Sequence, residues 1–360
     1  MPGVPPHRSR EMINATGADV VTDEMGFAVS LNRSDDVEAL LTDQRFGAVA
    51  MGALVFSGVS EGELFDLWSN LMFGKDGDEH QRLRGTVSRR FTPKAVERYR
   101  GEARKIAGSL ADDMARRSSV DLWADFSLPL VARVACAVVG IPEQDSARAG
   151  QWAIDLVNAF FIMPETRRLR AEVAAGEFTR YLDDLFSVRR AAPTDDLVSV
   201  LVAAVDEGRL TYSEARALAA NLVFGGLEAT AKVITTGVFH LLEHDAWKPL
   251  VDDPTRAAAA AEESLRFAPP TGVGRAVMED GECRGIPLKA GRWSYSVCTR
   301  RATTPPASRT PRRSASTEIT DAAGVRCGDA LLPRGQPGSR HHRGGAGDAR
   351  HPFLRPGPER

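Results

Sequence analysis

The sequence predicts a large, mainly α-helical domain with minor β structure, followed by a tail of different character. Three observations carry that prediction. Most of the first 290 residues fall into long segments with apolar residues at helical spacing. Caps and prolines punctuate those segments where helices should start and stop. Composition breaks at about Arg292, dividing the chain into a domain over 1–291 and a tail over 292–360.

The elements follow in order. Val20-Val21 and Phe27-Ala28-Val29 read as strands around an Asp23–Gly26 turn. Ser34-Asp35 offers an N-cap ahead of Val37, Leu40 and Leu41. Helical patterns cover about 78–89, 94–117, 123–139, 143–162, 166–190 and 195–207. Thr211 and Glu214 have capping-box spacing and open a long apolar-periodic segment to His244. Pro254 marks a helix start, and that helix stops at Pro269-Pro270. Ile286 to Gly291 reads as a short strand and turn.

Composition narrows the function classes. No run of 18 uninterrupted apolar residues is present, so no membrane span is predicted. Residues 1–16 lack the apolar core of a signal peptide. Cys136, Cys283, Cys298 and Cys327 show no paired spacing, which suits a reducing cytoplasm better than a disulfide framework. The net charge of −2 hides a division. Residues 292–360 hold 13 Arg, no Lys and 5 acidic residues, leaving +8 on the tail and −10 on the domain. That tail has 8 Pro, 8 Gly and only 7 residues from Val, Ile, Leu, Met and Phe, too few to pack a core. Binding of nucleic acid through its arginines is an alternative, but no aromatic residues interleave them. A tail that is out of frame or without structure is the plainer reading.

Four constellations carry chemistry. In Asp78-Glu79-His80-Gln81-Arg82-Leu83-Arg84, His80 and Arg84 share a helix face and suit a pair of carboxylates; alone, the string is equally a solvated basic face. In Phe224-Gly225-Gly226-Leu227-Glu228-Ala229-Thr230, two mid-helix glycines cost roughly 1 kcal/mol each. An acid among apolar residues adds a desolvation cost. Together they suggest a local opening beside a ligand; the competing reading is a close helix–helix contact. Glu263 and Arg266 can pair within one helical turn. Arg275 follows Arg266 by nine residues, in a strand-like Val273-Gly274-Arg275-Ala276.

Taken together over about Val20 to Gly291, these motifs and their order resemble the bacterial, soluble type of cytochrome P450. The resemblance implies the cytochrome P450 fold, a heme b cofactor, and monooxygenase activity that inserts one oxygen atom into a small, largely apolar molecule. It implies electrons from a ferredoxin and its reductase, a monomer, and no membrane. His80, Arg84 and Arg275 match the family's partners for the heme propionates. Glu228 matches the acid of its proton-delivery pair. The alcohol position of that pair is Ala229 here, with Thr230 one step later. Glu263 and Arg266 match a structural E-x-x-R pair.

One motif is absent. The family ligates iron through a cysteine thiolate in F-x-x-G-x-x-x-C-x-G. None of the four cysteines has that setting, and His341-His342 lacks the further ligands of a metal site. The chain as written would then lack the normal cysteine loop and L-helix. The genetic code suggests a cause. Shifted by one nucleotide, the codons of Val325 to Arg340 permit F-G-[AV]-G-[MT]-H-[YFSC]-C-L-G-A-[NS]-L-A-R. Shifting Arg292 to Pro306 by two permits V-V-V-L-S-V-H-A-A-S-N-H-x-P. At least two frame changes are therefore expected, one near Arg292 and one near Thr320. A catalytically dead remnant without the axial cysteine is the alternative function.

Overall fold

The structure, a computed structural model, describes residues 20–22, 28–31, 34–48, 51, 54–55, 57–160, 163–267, 273–283, 286–291 and 293–296. Its first elements are strands β1 (Val20–Thr22) and β2 (Ala28–Leu31), which pair antiparallel, and helix α1 (Ser34–Thr42). The expected Asp23–Gly26 turn lies outside the described residues, as does everything after Ser296. Strand β3 (Phe46–Gly47) is followed by α2 (Glu63–Ser69), α3 (Gly77–Ser88) and α4 (Pro93–Ala115). Thr92 caps α4 by accepting from the Ala95 amide, and Pro93 occupies the first turn, where its missing N–H is harmless.

The helical patterns over 78–89, 94–117, 166–190 and 195–207 are found within two residues of their expected ends. Two others are subdivided. A π-helical turn over Trp123–Ser127 leads into α5 (Leu128–Val139). Short 3₁₀ turns flank α6 (Ser146–Val157). Then come α7 (Glu165–Ala191), α8 (Leu197–Asp206), α9 (Tyr212–Glu243), α10 (Trp247–Asp252) and α11 (Ala257–Phe267). Helices α2 and α10 were not expected. Each has two turns or fewer, too short for a periodic signal, and α10 buries no residue.

Helix α9 is the axle of the fold and packs on α2, α5, α6, α7, α8 and α11. Ala215, Ala217, Leu218, Ala219 and Ala220 are fully buried along its first half. Small side chains there let neighbouring helices approach closely. By length and composition α9 could cross a membrane, but it is the central core helix of this fold. Lower down, Phe224 stacks on Trp68 of α2, with ring centroids 5.4 Å apart, and Phe160 leans on both. At Gly237 an added Cβ would collide with Ser264 of α11, so that crossing depends on glycine.

Strands β4 (Val273–Val277), β5 (Gly281–Cys283), β6 (Ile286–Leu288) and β7 (Trp293–Ser296) complete the described chain. One sheet has the order β1-β2-β7-β4-β3, with β2 and β7 parallel; β5 and β6 form a separate antiparallel pair. The sheet thus runs past the domain boundary expected at Gly291. The break in composition comes from residues further along, whereas a ladder needs only backbone donors and acceptors.

Two polar anchors fix the helices. The Arg189 guanidinium meets Asp196 at 2.5 Å and also donates to the Gly140 carbonyl, joining the ends of α7 and α5 to the start of α8. Burial works to raise the Asp196 carboxyl, but hydrogen bonds from Arg189, Thr194 and Ser199 outweigh it and hold the group below its ordinary range. At the other anchor, Arg82 of α3 grips Glu214 of α9 through both guanidinium nitrogens, at 2.5 and 3.1 Å. Glu214 also accepts from the Thr211 amide, completing the capping box.

The Arg82 hydrogen bonds hold the Glu214 carboxyl below its ordinary value of 4.5. A depressed folded-state value stabilises the fold above the unfolded value and loses that effect as pH falls through the folded one. Glu214→Ala is therefore expected to cost about 1–3 kcal/mol at neutral pH. The gap between variant and parent should narrow as the pH is taken below that value, read by denaturant unfolding at each pH.

Candidate active site

Helix α3 carries the first candidate residues. Leu83 and Val87 are buried and turn one face of α3 to the core, with α8 as its helical neighbour. Arg82 pins it to α9 and donates to the Arg209 carbonyl at 3.0 Å. His80 and Arg84 stand one turn apart on this helix, His80 half-buried and Arg84 exposed. The start of α3 is tied to the sheet, because Asp76 accepts from the Ala48 amide at 2.7 Å. An added Cβ at Gly47 would meet both Asp76 of this turn and Met278 just beyond β4. Helix α3 and strand β4 therefore converge there.

Arg275 lies on β4, opposite Ser294 of β7, and is half-buried. Its guanidinium donates to the Gly274 carbonyl at 3.3 Å. On α11, Glu263 and Arg266 form the expected ion pair through two hydrogen bonds, one of 2.6 Å between Nε and Oε2. Both side chains are partly buried, so the pair is better shielded than a typical surface pair.

The glycine pair of α9 departs from expectation in one respect. No opening occurs: the helix is continuous from Tyr212 to Glu243. Buried Val223, Phe224, Leu227 and Ala231 hold the flanking turns against the core, which offsets the glycine cost. The face is open instead. Gly225 and Gly226 are exposed, and a Cβ added to Gly226 would meet nothing within 4 Å. Next to this bare strip of backbone stand half-buried Glu228 and Ala229 and exposed Thr230. Glu228 forms an ion pair with Lys232 one turn on, a partner that the sequence reading did not assign. The i, i+4 spacing of Glu and Lys was the available signal.

A flat, carboxylate-bearing cofactor such as heme fits part of this arrangement. The glycine strip can accept a planar face, and His80, Arg84 and Arg275 are donors of the type that carboxylates need. Among the described residues no placed cysteine suits the axial position. Among the described residues the one cysteine whose side chain is placed is Cys136 on α5, which is 1% exposed in the main core. Burial, with help from the Asp145 charge, pushes its thiol up to about 12, so it stays protonated. Cys298 and Cys327 lie outside the described residues.

No protein-family profile matches the chain. Curated relatives do. The chain is 33% identical over 270 residues to the polyketide biosynthesis cytochrome P450 PksS of Bacillus subtilis, covering 72% of this chain and 65% of that one. It is 32% identical over 268 residues to the nocardicin C N-oxygenase of Nocardia uniformis, with the same two coverages. The chain thus spans just under two thirds of the length of these relatives. Among solved structures, PksS superposes with a TM-score of 0.69 at 29% identity, covering 81% of this chain and 74% of that one. The structure of CalO2 superposes with a TM-score of 0.77 over 88% of this chain and 86% of that one; at 24% identity it supports the fold alone.

The burial of Cys136 gives a direct check. Its thiol is expected to resist alkylation in the folded protein and to react once the chain is unfolded. Peptide mass mapping after brief treatment with a maleimide, with and without denaturant, reads the difference. Rapid labelling of Cys136 in the folded chain would mean that α5 is not packed as described.

Proposed function

The chain belongs to the bacterial cytochrome P450 family, and from that premise we propose that its fold is built for heme-thiolate monooxygenation of a small, largely apolar molecule. The observation that carries the reading is the open backbone at exposed Gly226 in the middle of a core helix, where an added Cβ would meet nothing within 4 Å, with half-buried Glu228 close by. Electrons would come from a ferredoxin-type partner. The names of PksS and the nocardicin enzyme suggest a tailored natural product as the substrate class. Heme held by a thiolate supplies the oxygen chemistry. The residues of this chain would contribute the rest: His80, Arg84 and Arg275 the grip on the carboxylates, the glycine face room against α9, and Glu228 a place to hold a proton.

A second reading rests on the sequence, in which none of the four cysteines stands in an F-x-x-G-x-x-x-C-x-G setting. On it the chain as written is a catalytically dead remnant, its cysteine segment displaced by frame changes near Arg292 and Thr320. The nucleotide sequence across codons 285–345 decides between an altered reading frame and a native tail. The chain as written is expected to give no thiolate-type spectrum when reduced under carbon monoxide, and a chain rebuilt in the shifted frames is expected to give one. That signature from the unaltered chain would overturn the frame argument.

Two substitutions in the rebuilt chain test the site. Changing His80, Arg84 and Arg275 together to Leu should weaken heme retention, at roughly 1.5–3 kcal/mol per lost charge-assisted bond. Unchanged heme occupancy would remove these residues from the carboxylate grip. Ala229→Thr restores the alcohol at the position where the family has one. It should raise the fraction of reducing equivalents recovered as product, measured as product formed per reduced nucleotide consumed. If Glu228→Ala is silent in the same assay, this part of α9 has no role in proton delivery.

A further inference from the structure

The far end of α9 carries a second cluster, remote in sequence from the glycine face. His240 and Glu243 lie in the last helical turn and His244 is its C-cap; at i, i+3 and i+4 the three stand on one side of the helix end. We propose that these three side chains form a surface site for a borderline divalent transition metal, with zinc(II) as its first occupant. The sequence reading assigned no metal site. The signal was there in His240-Leu241-Leu242-Glu243-His244, whose H-x-x-E-H order places two imidazoles and a carboxylate within one turn.

Geometry supports three ligands. One donor atom from each residue lies within 4.8 Å of the others. His240 Nδ1 is already 3.2 Å from Glu243 Oε2. Zinc bonds of about 2.0–2.1 Å in a tetrahedron put neighbouring ligand atoms roughly 3.3 Å apart. One edge of the site therefore has its bound length, and the third ligand must close by at most about 1.5 Å, within the reach of a rotamer adjustment. An ordinary His–Glu surface pair would account for His240 and Glu243. It gives no reason for a second imidazole on the same face, lying nearly parallel to the first at 6.3 Å and 21°.

The surroundings favour a cation and restrain the ligands. Phe267 of α11 sets its ring edge-on to both imidazoles, at 4.8 Å from His240 and 6.1 Å from His244. That contact limits ring rotation, so less side-chain freedom is lost when a metal binds. The last carbonyls of a helix form the negative end of its dipole and attract positive charge. The helix is closed by Asp245 at φ 55, where the Ala246 amide returns to the Leu241 carbonyl at 2.7 Å. Two imidazoles with one carboxylate suit zinc, copper or nickel rather than magnesium or calcium, which prefer oxygen. Three protein ligands leave one coordination position for water.

Titration of the purified full chain with zinc against a chromophoric indicator tests the site. One zinc ion is expected to bind, and magnesium in excess is expected not to displace it. H240A/H244A should weaken that binding by about 100-fold or more, and E243Q by about tenfold. Undiminished uptake by H240A/H244A would overturn the site and move the metal to donors elsewhere, as would the absence of zinc binding by the parent. A measurement on the unaltered chain guards against a variant that fails to fold. Zinc should protect His240 and His244 from carbethoxylation, read by peptide mass mapping. Equal modification with and without zinc would sink the proposal.

Discussion

The burial of α9 is the constraint from which the other placements follow. A helix of 32 residues is enclosed along its first half because Ala215, Ala217, Ala219 and Ala220 present almost no side chain. Neighbouring helices therefore settle against it with their own apolar faces. Phe224 then meets Trp68, which brings α2 to the same axis. Arg82 reaches Glu214 at the start of α9 and brings α3 with it. His80 and Arg84 thus owe their position to a helix on which neither sits, whereas Arg275 is placed by the pairing of β4 with β7.

That dependence explains the mixture of a closed core and an open face. Fully buried small residues suit helix contacts, and exposed glycines suit something else. Both lie on α9, the alanines in its first half and Gly225-Gly226 near its middle. Gly225 leaves room for the Asn221 side chain, but glycine at 226 meets no neighbour and lowers helix propensity. Local cost without a local packing benefit is the pattern expected where function rather than stability selects the residue.

Much of the architecture was legible in the sequence. The capping box at Thr211 and Glu214, Pro93 at the start of α4 and the long periodic segments are local signals, and they mark the elements well. Order and spacing also singled out the candidate residues that lie on α3, α9, α11 and β4. The partners were less legible. Arg82 lies between His80 and Arg84 and looked like one more surface cation, yet its two hydrogen bonds to Glu214 span 132 positions. Nothing local marks such a pair. Short α2 and α10 escaped for a related reason: two turns or fewer contain too few residues to establish a period. The sheet passed the boundary at Gly291 because composition registers side chains, whereas strand pairing is made by the backbone.

Strand β7 also sets the order in which this chain can be assembled. It lies between β2 and β4 and is the only strand that connects the amino-terminal pair to the rest of its sheet among the described residues. Leu31 must wait for Ser296, 265 residues later, before that side of β2 has a partner. At a ribosome adding ~5–20 residues per second, the wait is on the order of ten to fifty seconds. During it, β1 and β2 expose an unpaired edge while the helices are already being made. Contacts of such long sequence separation close late and slow the search for the native state. The helices are therefore made before this part of the sheet can close, and the sheet is a clasp fastened only once β7 has been made.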